Sequence, residues 1–339
     1  MNLKSLFSLA TVAVLIATSS YAQKDNAKRT SVEMNGLEGK VKSVKETKYD
    51  AIERLGEVTK GRVLEKATIK LEKYDDKGNE IEKAYYNSDG SLWYKYTYKY
   101  DDKGNQIEEA NYNSDDSLGS KHTYKYDDKG NLIEEAYYNS DGSLWRKSTY
   151  KYDDKGNEIE WARYRFDGSL EGKNTYKYDD KGNQIEEANY SDGSLEEKAT
   201  YKYDDKGNQI EEANYYNTDG SLEEKITHKY DDKGNDIEKA HYNSDGCLYW
   251  KYTYKYDDKG NMIEEAEYNG DGSLVWKYTS KYDDKGNEIE GTIYNSDGSL
   301  GWKYIYKYTF DSKGNWIEQI KYNGDLAEQI IEREIEYYE

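Results

Sequence analysis

A six-residue string, Tyr-Asp-Asp-Lys-Gly-Asn, recurs along this chain and constrains its fold more than any other feature. It begins at Tyr74, Tyr100, Tyr126, Tyr152, Tyr178, Tyr203, Tyr230, Tyr256 and Tyr282, and an altered copy runs Phe310-Asp311-Ser312-Lys313-Gly314-Asn315. Most copies stand 26 residues apart. Self-similarity at such a period marks a repeat architecture in which each unit packs on its neighbours. Between the copies lies a second recurring string, such as Tyr86-Asn87-Ser88-Asp89-Gly90-Ser91-Leu92.

Both strings are turn signals with the same chemistry. Asp75-Asp76-Lys77-Gly78 and Asn87-Ser88-Asp89-Gly90 each put Asp or Asn first and Gly fourth. That order predicts a type I turn whose glycine takes the left-handed conformation and closes a three-residue hairpin loop with a G1 bulge. The first side chain can cap the backbone of its own turn. The chain therefore reads as all-β: tandem antiparallel hairpins forming one long meander of roughly twenty strands.

Alternation then assigns faces. Counting back from the turns places Tyr86 opposite Leu92, Ala84 opposite Tyr94 and Glu82 opposite Tyr96. In the next hairpin it places Tyr100 opposite Gln106, Tyr98 opposite Glu108 and Tyr96 opposite Ala110. One face would carry the Tyr, Leu and Ala columns with Glu among them. The other would carry Ile81, Lys95, Thr97 and Lys99 with Lys83, Tyr85 and Trp93. Length changes respect this pattern: the deletion at Tyr190-Ser191-Asp192-Gly193 and the insertion at Tyr215-Tyr216-Asn217-Thr218 fall in turns. The insertion near Tyr308-Thr309-Phe310 adds two residues, which preserves alternation.

Neither face is apolar enough for a sandwich core. Two shapes remain: an extended single-layer sheet, or a spiral or shell coiled by strand twist with the Tyr columns inside. The coiled form is expected, because a flat sheet of this width is unusual. Residues 36–73 and 326–339 lack the full repeat and read as caps of the 74–325 array. Their alternating stretches include Lys40-Val41-Lys42-Ser43-Val44 and Ala67-Thr68-Ile69-Lys70-Leu71. Ile330 to Tyr337 reads as a charged terminal edge that resists further pairing.

Composition matters at this point. A net charge of −20 with few aliphatic residues would ordinarily suggest disorder. The 40 tyrosines, regularly placed, supply burial instead, each with a ring and a hydroxyl that seeks a partner. There is no proline to interrupt a ladder. The acidic balance argues against nucleic acid and against anionic membrane surfaces. Cys247 is the single cysteine and replaces a turn serine, so no disulfide framework is expected.

At the start, Met1-Asn2-Leu3-Lys4, the apolar run Leu6 to Ala17 and Ser20-Tyr21-Ala22 read as a secretory signal over 1–22, too short for a stable membrane span. No cysteine follows to accept a lipid, and no later segment is apolar enough to cross a bilayer. Residues 23–35 read as a polar, disordered leader. The expected location is periplasmic, outer-surface or secreted.

Tyr98-Lys99-Tyr100-Asp101-Asp102-Lys103-Gly104-Asn105 resembles the signature of YD (Rhs-type) repeats, a Tyr-x-Tyr-Asp-x-x-Gly-Asn or Gly-Arg string. The resemblance covers about 74 to 325. It implies a sheet wound into a spiral shell on an exported or surface protein, with carbohydrate binding and, in large members, enclosure of a toxin. The period here is longer than usual, proline is absent and no toxin-like domain follows, so enclosure is not expected. The hairpins also resemble MORN-type repeats, more weakly and without their Gly-x-Gly spacing.

Catalysis needs a unique constellation, and a repeat supplies copies. His122, His228 and His241 are scattered over different repeat positions. The Glu columns at Glu82, Glu108 and Glu134 could pair for glycoside hydrolysis, but identical ladders in every repeat read as strand-to-strand ion pairing. The turn Asn269-Gly270-Asp271-Gly272 resembles part of a calcium loop. The twelfth position of such a loop should be a bidentate Glu, and in the first repeat it is Tyr96. No catalytic residue, metal site or cofactor is expected.

The ligand candidates are aromatic. Trp250, Trp276 and Trp302 hold one repeat position in three successive repeats, with Tyr252, Tyr278 and Tyr304 two residues on. Equivalent strands lie two apart, so the indoles should recur about every 9.5 Å, a spacing that suits stacking on an extended glycan. The competing reading makes them plugs of a coil's interior. It is favoured if the sheet is coiled and disfavoured if it is open. The expectation is thus an exported, non-enzymatic interaction scaffold binding a glycan or another surface polymer. The alternatives are a structural spacer or surface component without a specific ligand and, last, an envelope glycosidase.

Overall fold

The computed structural model describes residues 30–64, 69–216 and 219–339; the signal segment, most of the leader, Ala67-Thr68 and the inserted Asn217-Thr218 fall outside them. A short helix, α1 (Ser31–Met34), precedes β1 (Val41–Arg54), β2 (Glu57–Val63) and β3 (Ile69–Tyr74). Hairpins then follow without interruption from β4 (Glu80–Tyr86), β5 (Leu92–Tyr100) and β6 (Gln106–Tyr112) to β22 (Trp316–Asn323) and β23 (Leu326–Tyr337). All ladders are antiparallel.

The turns form as their chemistry dictates. Asp75 Oδ1 accepts from the amides of Lys77 and Asn79 at 2.9 and 2.8 Å, and Asn79 Nδ2 donates to Asp75 Oδ2. Gly78 closes the loop at φ +86°. In the other turn, Ser91 donates its amide to Asp89 Oδ1 at 2.8 Å. At one such turn Asp116 occupies the left-handed position, at φ +64°, where the repeat normally has glycine.

The sheet closes on itself, as neither an open sheet nor a spiral. β1 pairs along one side with β23, from Val41 with Tyr337 to Asp50 with Gln329. Along its other side it pairs with β3, from Ser43 with Lys73 to Thr47 with Ile69. The far half of β1 carries β2 as a projecting hairpin, from Tyr49 with Val63 to Arg54 with Glu57. Twenty-two of the 23 strands therefore form a barrel. The terminal strand is not an edge: Glu332, Arg333, Glu334 and Glu336 lie on rungs with Thr47, Glu46, Lys45 and Ser43. Complementary caps at the two ends of a twisted array let it close, and closure removes both edges.

A second correction concerns the faces. Tyr86 does lie opposite Leu92, but the next rung pairs Tyr85 with Tyr94, leaving Trp93 extra. Tyr100 does lie opposite Gln106, but Lys99 pairs with Glu108 and Tyr98 with Glu109, leaving Ile107 extra. Each hairpin thus contains a further β-bulge beyond its turn, and a bulge reverses the alternation past it. The Tyr columns share their face with Lys83, Tyr85, Glu109 and Asn111. Ala84, Ala110, Glu82 and Glu108 share theirs with Lys95, Thr97 and Lys99.

The bulge also explains the second tyrosine of each Tyr-x-Tyr. The Tyr100 hydroxyl donates to the Glu80 carbonyl beside the bulge at 2.8 Å. Tyr126, Tyr152 and Tyr178 do the same to Gln106, Leu132 and Glu158 at 2.7 to 2.8 Å. A buried carbonyl without a partner would cost about 1–3 kcal/mol.

Side chains converge on the concave side of a closed sheet and splay on the convex side. Burial pushes the Tyr98, Tyr124 and Tyr254 phenols well above their ordinary range. It also raises the Glu158 carboxyl to about 7, with help from Glu135 and Glu187. Lys99 and Lys125, on the other face, are 67 % exposed. The Tyr–Glu face therefore lines the lumen and the Lys–Thr–Ala face is outside. Twenty-two strands about 4.8 Å apart give a girth of roughly 105 Å. A girth of that size is roughly 34 Å across, too far for side chains from opposite walls to meet, and the close packing between strands runs between ladder neighbours.

One mouth is partly covered. Thr30 and Glu33 form a capping box on α1, and the Val32 amide donates to the Gly78 carbonyl at 3.1 Å. The Glu38 amide donates to Asn315 Oδ1 at 2.7 Å. Val32 and Leu37 pack with Val41, Val44 and Tyr74, backed by Ile335 and Tyr337. The end of the stretch read as a disordered leader, residues 30–35, is thus built into the mouth, because Val32 finds apolar partners there.

Candidate functional site

The three indoles lie on β17 (Leu248–Tyr256), β19 (Leu274–Tyr282) and β21 (Leu300–Phe310), each third in its strand. Within these strands Trp250, Trp276 and Trp302 share the lumen face with Tyr252, Tyr278 and Tyr304. They stand on alternate strands and two residues out of step, since Trp250 pairs with Asn269 but Trp276 with Glu267, and Trp276 with Asn295 but Trp302 with Ile293. That puts them roughly 12 Å apart along the wall, rather than the about 9.5 Å of level strands, near the mouth opposite α1.

Their surroundings differ. Trp250 packs against Tyr249 and His241, with ring centres 4.3 and 5.1 Å away. Trp276 donates its Nε1 to Glu267 Oε2 at 2.7 Å. Trp302 is the most open of the three at 54 % exposure, against 38 % for Trp250. Tyr278 donates to Glu288, which also accepts from Ser280 Oγ at 2.8 Å. Lys321 sits over the Tyr304 ring, 3.9 Å from its centre. Burial, followed by the Glu267 carboxylate, raises the Tyr252 phenol.

Carboxylates line the same stretch. Glu224 Oε1 accepts from His241 Nδ1 at 2.7 Å and from the Tyr249 hydroxyl. Against its own burial, those two partners hold its pKa below the usual value. Glu265 is raised, first by burial and then by Glu267. The site is aromatic and acidic.

Other lumen aromatics follow from the bulges, which alternation could not anticipate. Trp93 contacts Tyr94 at 4.8 Å, and the Arg146 guanidinium lies over Trp145 at 4.4 Å. Tyr85 stacks on Tyr94 at 4.5 Å, and His122 on Tyr137 at 3.7 Å. The available signal was their position, one residue after the turn leucine. Between the two aromatic arcs, Glu171, Gly172, Glu196, Glu197, Glu223 and Glu224 occupy the equivalent places.

Each histidine has its own wall partner. Burial lowers His122 to about 4, and its Nδ1 lies 2.9 Å from the Tyr124 hydroxyl. His228 Nδ1 lies 2.6 Å from Asp236 Oδ2. The Glu columns Glu82, Glu108 and Glu134 lie outside, paired with Lys73, Lys99 and Lys125 at 2.7 to 2.9 Å. Cys247 is a free, exposed thiol in a turn.

The outer face is a lattice of Lys, Glu, Thr and Ala with Lys–Tyr contacts such as Lys95 over Tyr112. A membrane barrel needs an apolar outer band, and lysines at mid-depth cost about 2–4 kcal/mol each. This wall lacks the chemistry to face lipid. Among the described residues no helix is long and apolar enough to cross a membrane.

A family model described as an uncharacterised protein matches residues 179–281. No curated protein matches. Among solved structures, the TcdB2-TccC3-TEV crystal structure is similar with a TM-score of 0.41 and 12 % identity, over 80 % of this chain and 16 % of that one. A porin-like protein from Bacteroides uniformis has a TM-score of 0.29 and 12 % identity, over 87 % and 98 %. A porin-like protein from Bacteroides vulgatus has a TM-score of 0.24 and 13 % identity, over 66 % and 95 %. This chain spans about a sixth of the TcdB2-TccC3-TEV chain.

Proposed function

We propose that this protein is an exported, non-catalytic binding shell, a small self-closing variant of the YD-type wall, whose lumen takes a neutral glycan along Trp250, Trp276 and Trp302. The observation that carries this reading is the register of the three indoles on one lumen face, with Tyr252, Tyr278 and Tyr304 beside them. Rings that follow one oblique row along the wall offer successive apolar faces to an extended chain of sugars, while neighbouring carboxylates accept from its hydroxyls. Glu224, Glu265, Glu267 and Glu288 disfavour a polyanion at the same place. The signal-like start, Met1 to Ala22, supports export.

A glycan array followed by tryptophan-fluorescence titration tests the reading. Aromatic contacts of this kind are worth about 0.5–1.5 kcal/mol each. Trp276→Ala with Trp302→Ala should therefore weaken binding by roughly ten- to a hundredfold. Absence of binding to every neutral glycan would favour a second reading, a structural spacer. That reading draws on the ties of Trp250 to His241 and of Trp276 to Glu267, which also suit plain wall packing.

A further inference from the structure

In five places along the wall the same lumen rung pairs a tyrosine with a glutamate: Tyr98 with Glu109, Tyr124 with Glu135, Tyr176 with Glu187, Tyr201 with Glu212 and Tyr254 with Glu265. At the corresponding rung of β19 and β20 (Glu288–Asn295) the pair is Ser280 with Gly291. Both large side chains are lost together, which leaves a notch on the rung that Gly291 shares with Tyr304, one lumen rung deeper than the pair of Tyr278 with Ile293. Tyr278 fills it. A Cβ built on Gly291 would lie 2.4 Å from the Tyr278 hydroxyl and 3.1 Å from its Cζ, so the ring rests directly on the Gly291 backbone. Glu288 holds the hydroxyl, and Ser280 Oγ holds Glu288 at 2.8 Å. Ser280 is buried, and Tyr278 keeps part of its surface in the lumen.

We infer that this notch makes a built subsite beside the indole row: Tyr278 is a ring laid down in advance to stack on a neutral pyranose, and Ser280 with Gly291 sets its orientation. The inference rests on the neutral-glycan reading and adds to it the residue that positions the sugar. A ring already fixed at both hydroxyl and edge loses little freedom when a sugar settles on it, so it contributes more to affinity than a mobile one. The neighbouring repeats show that the wall accommodates the bulk that the notch lacks. Glutamate at position 291 and tyrosine at position 280 are the residues that this rung carries elsewhere.

The test is Gly291→Glu and, separately, Ser280→Tyr, each titrated with cellohexaose and laminarihexaose and checked for unchanged thermal unfolding. Either variant should lift Tyr278 off the wall and weaken binding of the hexaose at least tenfold. Tyr278→Phe, which keeps the ring and loses the Glu288 tether, should show an intermediate, several-fold loss even if a larger variant folds poorly. If the native protein binds a hexaose and the folded Gly291→Glu variant binds it within twofold, the notch assignment is wrong while the glycan reading stands. If the native protein binds neither hexaose, the notch assignment falls, and only if it also binds no neutral glycan of the array does the glycan reading fall with it.

Discussion

The repeat wall and the seam where β1 meets β3 and β23 are held together by different means. The largest fully buried side chains, Tyr74, Ile330, Val41 and Val44, all lie at the seam. The wall buries chiefly alanines, such as Ala84, Ala110, Ala136 and Ala162, and depends on ladders, tyrosine caps and exposed ion pairs. Loop closure explains the contrast. A wall contact such as Tyr100 to Glu80 spans 20 residues, whereas Arg333 to Glu46 spans 287. Closure entropy grows with the logarithm of loop length, so the seam costs about 2–3 kcal/mol more to form. Apolar burial concentrated at the seam offsets it. The seam also holds a charge network in which Glu46 meets Arg333 at 3.2 Å, Glu72 meets Lys83 at 2.9 Å, and Lys70 lies near both carboxylates.

Cutting one apolar contact in each region should separate seam from wall most. Ile330→Ala, at 1 % exposure, should cost about 2–4 kcal/mol in urea unfolding. Ile107→Ala, at 36 % exposure, should cost under about 1 kcal/mol. Equal costs would show that the seam has no special role.

Charge should separate the regions next, with opposite signs in pH. Glu72 is buried, which alone would raise its pKa, yet Lys70 and Lys83 bring it below the usual value. Its contribution is present above the unfolded-state pKa and is lost as pH falls through the folded one. Glu72→Gln should cost about 2–3 kcal/mol at pH 7, since a buried ion-pair network loses a partner while its lysines remain partly exposed, and the cost should shrink in acid. Glu158, in the wall, is raised by burial to about 7. The folded state therefore binds the extra proton, and stability falls as pH rises from 4.5 to 7. Glu158→Gln should stabilise by about 1 kcal/mol at pH 8, after allowance for solvent in the lumen, and should be neutral below pH 4.5. Urea unfolding of both variants at pH 4, 6 and 8 checks the signs.

The smallest effect is local. Asp116 sits at φ +64° with Lys95 at 2.6 Å as its ion partner. Asp116 is 65 % exposed, so that pair contributes little. Asp116→Gly should therefore stabilise by about 0.5–1 kcal/mol. A loss in differential scanning calorimetry would mean that the ion pair outweighs the backbone strain.

Much of this was legible in the residues. Asp75, Gly78, Asn87 and Gly90 determined the turns, the two recurring strings determined the strand order, and the spacing of Trp250, Trp276 and Trp302 placed the indoles on one line. Strand-to-strand ion pairing of the Glu columns was legible, but alternation put Glu108 on the face away from Lys99, its actual partner. The partner of Tyr98 was not legible either, because the bulge at Ile107 depends on how two strands settle against each other rather than on a residue type. That single step moved the alanines to the outside and Glu109 into the lumen. The resting place of Tyr278 on Gly291 was equally hidden, since it joins residues from two strands whose register only the bulge defines.

Where the chain reverses and which strands are neighbours are local matters written in the residues, since those contacts lie within one period. How many hairpins complete a circle and which face turns inward emerge only when the whole array is assembled. Both depend on small twists and bulges summed over the whole array, and on whether its two ends arrive within hydrogen-bonding reach of β1.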